Sequence, residues 1–265
     1  MTKLLIPSDG EPDFEQRLLD VPAERAGWGY VGFEVVRLAA GAPFARDTGQ
    51  REACFVWLRG TSAVLCGSEH WDRVGKRKSV FDGPPQSLYV GPGTSVRLTA
   101  GRGGAEIAIG WAPATREAAP ALFKDAEVLE RGEGAMGRTI HQILMEDREA
   151  ERLLVTEVLT PAGHWSSYPP HKHDTGDPPN ETYLEEIYYF RMRDPRGFAL
   201  QRVYTADGGL DESLAARDGD LVLVPRGYHT VSAAPGYDVY YLNVMAGPRR
   251  EWLIRFDPDH ERMRW

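Results

Sequence analysis

Only two cysteines, Cys54 and Cys66, occur in 265 residues. That is too few for a disulfide scaffold, and both lie in apolar stretches (ACFVWL and AVLCG), where buried free thiols are expected. No run approaches the ~18 apolar residues of a membrane span. The opening MTKLLIPSDGEPD has no apolar centre of the signal-peptide kind, so no membrane partner and a cytoplasmic location are expected. Excess positive charge is lacking too. A net charge of −8 and a pI near 5.4 provide no basic face for a phosphate backbone, which excludes nucleic acid as a partner. Helical periodicity is scarce, with a turn or two allowed only over 118–124 and 249–254.

Turn formers and short apolar runs are plentiful instead. The chain has 28 glycines and 19 prolines, and between them lie runs such as Val31–Leu38, Ser87–Val90, Ala105–Trp111, Glu186–Phe190, Ala199–Tyr204 and Tyr237–Val244. Short runs rich in Val, Leu, Tyr and Phe, punctuated by turn residues, predict an all-β sandwich or barrel.

The chemistry concentrates in one stretch. In an extended strand, side chains two apart point the same way, so His171 and His173 can reach one ion together. After a polar loop, Glu185 or Glu186 opens an aromatic run, and Gly219-Asp-Leu-Val-Leu-Val-Pro-Arg-Gly-Tyr-His229 brings a third imidazole. Three histidines and a carboxylate suit a divalent transition metal such as Zn, Mn, Fe, Ni or Co. Lys172 lies between the two histidines, and alternation points it away from the ion. His70, His141 and His260 have no partners in sequence and are expected to face solvent. Trp252, Trp265 and the pair Arg249-Arg250 pack and solvate a terminal segment; the basic pair serves equally as a subunit contact, which leaves a homo-oligomer open.

The chain also repeats itself. Phe44-Ala-Arg-Asp-Thr-Gly49 parallels His171-Lys-His-Asp-Thr-Gly176, Glu52 and its aromatic run parallel Glu186, and Tyr89-Val-Gly-Pro-Gly-Thr-Ser-Val96 parallels Leu223–Thr230 in the same order. Where the second half has His171, His173 and His229, the first has Phe44, Arg46 and Ser95. Only Glu52 remains, and one carboxylate does not hold a transition metal. Two domains are therefore expected: 1–120, a degenerate copy without metal, and 121–265, which binds it.

The succession His-x-His, Glu before an aromatic strand, and Gly-x5-Pro-x-Gly-x-His resembles the paired motifs of the cupin superfamily. More narrowly, SSYPPHKHDTG, ETYLEEIYYFR, VPRGYHTV and YYLNVMAGP resemble the 5-deoxy-glucuronate isomerase family of bacterial myo-inositol catabolism. That family is related to the 4-deoxy-5-hexulose-uronate isomerases of pectin breakdown, and its members are bicupins. One departure is that the glutamate comes later after the second histidine than in an ordinary cupin, so Glu181, Glu185 and Glu186 all compete. The usual Glu-x-x-Tyr/Phe spacing favours Glu186, with Glu185 second.

The resemblance implies an aldose–ketose isomerisation of 5-deoxy-D-glucuronate to 5-dehydro-2-deoxy-D-gluconate, with one bound divalent ion, zinc by analogy with the pectin-pathway relatives. The partner is then a small sugar acid. Tyr188, Tyr241 and His164 are candidates to move the proton, and Arg202, then Arg191, to hold the substrate carboxylate. Three other readings stand beside it: isomerisation of a related pectin-type uronate, an Fe(II) cupin dioxygenase, and a non-catalytic sugar-binding cupin.

Overall fold

The apolar runs become strands because β-branched and aromatic side chains fill a pleated, half-buried surface well. The computed structural model describes residues 3–8, 10–13 and 16–264. Two compact units emerge, and they are interleaved in sequence. One comprises the described residues up to Ser8, Val128–Gln142 and those from Thr156 onward; the other runs from Gly10 to Glu127 and adds Ile143–Val155. A cut at 120/121 therefore differs from the observed division. The reasons are local: Leu5–Ile6 pairs with Leu221–Val224 as an edge strand, and backbone N–H groups of 151–153 bond to Glu52.

The histidine-bearing unit is built on two sheets. The seven-stranded sheet runs Leu5–Ile6, Leu221–Val224, Glu185–Met192, Val239–Ala246, Leu154–Thr160, Arg138–Leu144, Glu127–Arg131. The five-stranded sheet runs Asp211–Ala216, Ala199–Tyr204, Tyr228–Ala233, Trp165–Lys172, Arg255–Phe256. Their facing sides share one core that joins Tyr188, Phe190 and Tyr241 from the first sheet to Ala199, Val203 and Val231 from the second. This is a double-sheet cupin barrel.

The other unit carries an eight-stranded sheet dominated by two long strands, Arg51–Cys66 and Ser95–Pro113. Both bend where they cross. Gly60 and Gly104 have φ of 76° and 71°, and a Cβ on Gly60 would stand 2.1 Å from the Gly104 carbonyl oxygen, so only glycine fits the crossing. Phe55, Trp57, Ile107 and Ile109 fill its core with Phe44.

The stretch 118–124 contributes a short strand, Ala121–Phe123, in place of a helical turn, because its backbone finds a partner in Ser87–Val90. No helix forms over 249–254. The α-helix present among the described residues, Ala23–Ala26, and the 3-10 turns Gly134–Met136 and Glu261–Met263 were not legible as periodicity. Among the described residues no helix is long and apolar enough to cross a membrane.

Both cysteines are free and fully buried. Burial pushes Cys54 up to about 12 and Cys66 up to about 11, with Glu69 also raising the latter. A thiol reagent at pH 8 is therefore expected to label neither in the native protein and both after denaturation; labelling of the native protein would refute this. The sign for stability follows: above pH ~9 an unfolded thiol ionises while the buried one cannot, so alkali favours unfolding.

Candidate metal centre

His171 is the penultimate residue of the strand Trp165–Lys172 and is paired in register with His229 on Tyr228–Ala233. His173 follows as the chain leaves that strand, and Glu186 sits at the start of Glu185–Met192 on the opposite sheet. The imidazole ligand atoms of His171, His173 and His229 all lie within 4.8 Å of one another. Glu186 joins them: its Oε2 is 3.1 Å from His173 Nε2 and 3.0 Å from His229 Nε2. Glu185 falls on the other face of its strand by alternation.

The other ring nitrogens are tied back to main chain. His173 Nδ1 lies 3.0 Å from the Leu184 carbonyl oxygen, His229 Nδ1 lies 3.2 Å from that of Gly227, and His171 bonds the Pro169 carbonyl. Donation of Nδ1–H to a carbonyl leaves Nε2 as a bare lone pair, the arrangement that orients metal-binding histidines. His229 Nε2 is fully buried, and its short approach to Glu186 is off the line of a hydrogen bond, so the atom has no hydrogen-bond partner. A buried, orphaned lone pair facing two more imidazoles and a carboxylate is the donor set that a divalent cation requires.

The electrostatics agree. Burial, then the neighbouring imidazoles, push the His171 pKa well below its ordinary value. At His173 burial also opposes the charge, but the Glu186 hydrogen bond and charge outweigh it and raise the pKa. Burial would raise the Glu186 carboxyl, yet His229 and His173 hold it well below the usual carboxylate range.

The loop between the histidines and Glu186 is fastened independently. Glu181 is fully buried and accepts from the backbone N–H groups of Asp174 and Thr175 at 2.8 and 2.9 Å. Lys172, turned away from the imidazoles, bridges Glu181 (2.8 Å) and Asp174 (2.5 Å). Asp174 in turn accepts from Gly227 N–H at 2.7 Å, and its carboxyl is lowered to about 2: burial opposes this, while the Lys172 and Gly227 hydrogen bonds prevail. Glu181 is thus spent on the loop.

Comparison with known proteins places this arrangement. The KduI/IolB family model matches residues 4–263. The chain belongs to the KduI/IolB family. A relative named 5-deoxy-glucuronate isomerase, from Geobacillus kaustophilus, is 47% identical over 264 residues, covering 98% of this chain and 95% of the relative. Another of that name, from Shouchella clausii, is 44% identical over 91% of this chain and 90% of its own. A crystal structure of an IolB-like protein from Salmonella typhimurium superposes with a TM-score of 0.95 at 41% identity, covering 98% of this chain and 99% of that one. An oxalate decarboxylase from Bacillus subtilis shares the bicupin fold alone, with a TM-score of 0.67 at 12% identity over 97% of this chain and 80% of that one. As a member of this family the chain is an isomerase.

Within the family frame, the remaining candidates separate by strand parity. Tyr188 and Tyr241 point inward, ring centroids 5.0 Å apart, and Ser167 Oγ lies 3.1 and 3.3 Å from their hydroxyls. Burial first, then the Glu186 charge, raises the Tyr188 pKa well above its ordinary value; burial also raises that of Tyr241. Both phenols therefore stay protonated near neutrality. His164 is not brought to the imidazoles; its Nδ1 lies 2.8 Å from the Gly137 carbonyl oxygen.

Neither arginine candidate reaches the centre. Arg202 alternates with the inward Ala199 and Val203, so it lies on the outer face, paired with Asp211 at 2.9 Å and bordering a groove of about 670 Å³. Arg191 likewise faces outward and bonds Asp218 at 2.9 Å. Arg138 shares the strand parity of the core-packed Ile140 and lies near enough to Tyr241 to feel its charge; its Nη1 donates to the Met136 carbonyl at 3.2 Å, and burial lowers its pKa. Nothing adjacent in sequence marks it.

His141, expected to face solvent, does not, and Trp252, expected only to pack a terminal segment, lies beside the imidazoles. His141 is buried with its Nδ1 2.7 Å from Glu157 Oε1, whose other oxygen accepts from Tyr240 at 2.8 Å. Tyr240 alternates with the inward Tyr241, which puts this trio on the opposite face of the sheet from the metal centre. Trp252 sets its ring, tilted, with its centroid 6.5 Å from those of both His171 and His173. Trp265 lies outside the described residues.

Proposed function

We propose that the chain converts 5-deoxy-D-glucuronate to 5-dehydro-2-deoxy-D-gluconate at one divalent ion held by His171, His173, Glu186 and His229. The observation that carries this reading is the convergence of three carbonyl-pinned imidazoles and Glu186 around the orphaned His229 Nε2. When bound, the ion supplies Lewis-acid polarisation of the substrate carbonyl and stabilises enediolate charge. Zinc is the first choice, with Mn, Fe, Ni and Co compatible with the same donors.

The chain's own groups complete the site. Tyr188 and Tyr241, held protonated and joined through Ser167, donate hydrogen bonds to oxygens that gain charge as the enediolate forms. Arg138 replaces the two outward arginines as the group that meets the substrate carboxylate, its planar fork suiting bidentate recognition. The Phe44–Glu52 half is the metal-free copy: Arg46, in the place of His173, makes a two-pronged ion pair with Glu34 at 3.0 and 2.9 Å.

The test is NMR of 5-deoxy-D-glucuronate incubated with the metal-loaded protein in deuterated water under an oxygen electrode. Conversion to the keto-deoxy acid without oxygen uptake is expected. No conversion with any of the five ions would sink the proposal, and stoichiometric oxygen uptake would turn it into a dioxygenase.

A further inference from the structure

The strand Ala199–Tyr204 alternates buried and exposed positions, and its buried set is Ala199, Gln201 and Val203. Ala199 and Val203 belong to the barrel core beside Tyr188, Phe190 and Tyr241, so Gln201 projects into the same interior. It is 0% exposed, and neither its amide nitrogen nor its amide oxygen has a hydrogen-bond partner. A buried amide with both groups unmatched costs on the order of 1–3 kcal/mol for each. A strand interior lined by valine and alanine offers no reason to bear that cost.

Register gives the position of this amide. Val203 is paired with His229, and Gln201 with Val231 one step further along. At ~3.3 Å per residue, Gln201 stands about 6.6 Å along the wall from the level of His229. Ser166 occupies the same rung, opposite Val231, and its Oγ accepts from Thr160 Oγ1 at 2.8 Å. The wall thus carries the imidazoles at one level and, one rung on, the polar pair Gln201 and Ser166 on either side of Val231.

We propose that Gln201 positions the substrate by exchanging hydrogen bonds with a hydroxyl beyond the reacting carbon pair. A primary amide has both a donor and an acceptor, as a hydroxyl does, so the two satisfy each other in full. A carboxylate only accepts and would leave Oε1 orphaned. Gln201 therefore reads the polyol portion of an open-chain sugar acid and discriminates against analogues deoxygenated there. This rests on the isomerase reading of the centre.

The test compares wild type with Gln201→Met, which keeps length and removes the amide, and with Gln201→Leu should the first fail to fold. Metal content, melting temperature, and kcat and KM on 5-deoxy-D-glucuronate are measured, together with calorimetric binding of D-gluconate, a polyhydroxy acid that cannot isomerise. Expected are unchanged metal content, an unchanged or higher melting temperature, about 100-fold lower kcat/KM and at least tenfold weaker gluconate binding. Kinetics and gluconate affinity both within twofold of wild type would overturn the proposal, as would activity lost only in step with metal or melting temperature. A wild type that binds gluconate without turning over the sugar acid would refute the isomerase reading, while the two gluconate affinities would still decide the role of Gln201.

Discussion

A His173→Ala variant is expected to purify without its divalent ion and to lose activity by about 10³-fold or more. His173 provides one of three imidazole donors, its Nε2 3.1 Å from Glu186 Oε2, so its removal opens the donor set beside the carboxylate. Lewis-acid assistance is worth several kcal/mol, and about 1.4 kcal/mol corresponds to each tenfold in rate, which gives the size of the loss. Arg46→Ala is the matched control from the other half. It breaks the Glu34 ion pair and should leave metal stoichiometry intact. Elemental analysis of the purified proteins checks both; equal metal loss in the two variants would overturn the assignment of the ion to one barrel.

The second large effect is expected from Glu52→Ala, far from any chemistry. Glu52 is fully buried and accepts the N–H groups of Glu151, Arg152 and Leu153, each at 2.7 Å, and the Tyr89 hydroxyl at 2.7 Å. Alanine would strand four donors around a void. Buried donors without acceptors cost about 1–3 kcal/mol apiece, and partial relaxation leaves a loss on the order of 4 kcal/mol. At roughly 2–4 °C per kcal/mol, the transition of that unit should fall by about 10 °C in calorimetry. Glu52→Gln, which retains one acceptor oxygen, should fall by less. A shift under about 2 °C for the alanine variant would mean that the loop 151–153 is held by something else.

These two glutamates show what strand patterning can and cannot convey. Glu52 and Glu186 open parallel aromatic runs, and the repeat made their correspondence readable. Their different tasks followed only from whether imidazoles or backbone N–H groups surround them. His171, His173 and His229 were legible because period-two spacing and a Pro-x-Gly-x-His turn are local features. Gln201 and Arg138 were not, since each is an isolated polar residue whose importance depends on which face of its strand is inside. One residue decides this: Arg202 was the natural choice by charge, and its neighbour Gln201 is the one that register turns inward. His141 failed for a related reason, its partners Glu157 and Tyr240 being distant in sequence. The helical turn expected at 118–124 lost to pairing with Ser87–Val90, a non-local hydrogen-bond partner that overrides weak local propensity.

The fastening of the 174–181 loop has a consequence for how the centre is filled. Lys172, Asp174, Glu181 and Gly227 tie the two histidine-bearing segments together through their own contacts, so the spacing of the imidazoles is expected to persist with the proposed ion absent. Removing it with a chelator should then leave the fold standing, and reloading should be a matter of simple diffusion into a ready-made socket. The identity of the resident ion would accordingly record the metal supply of the cell that made the protein, as well as the preferences of its donors.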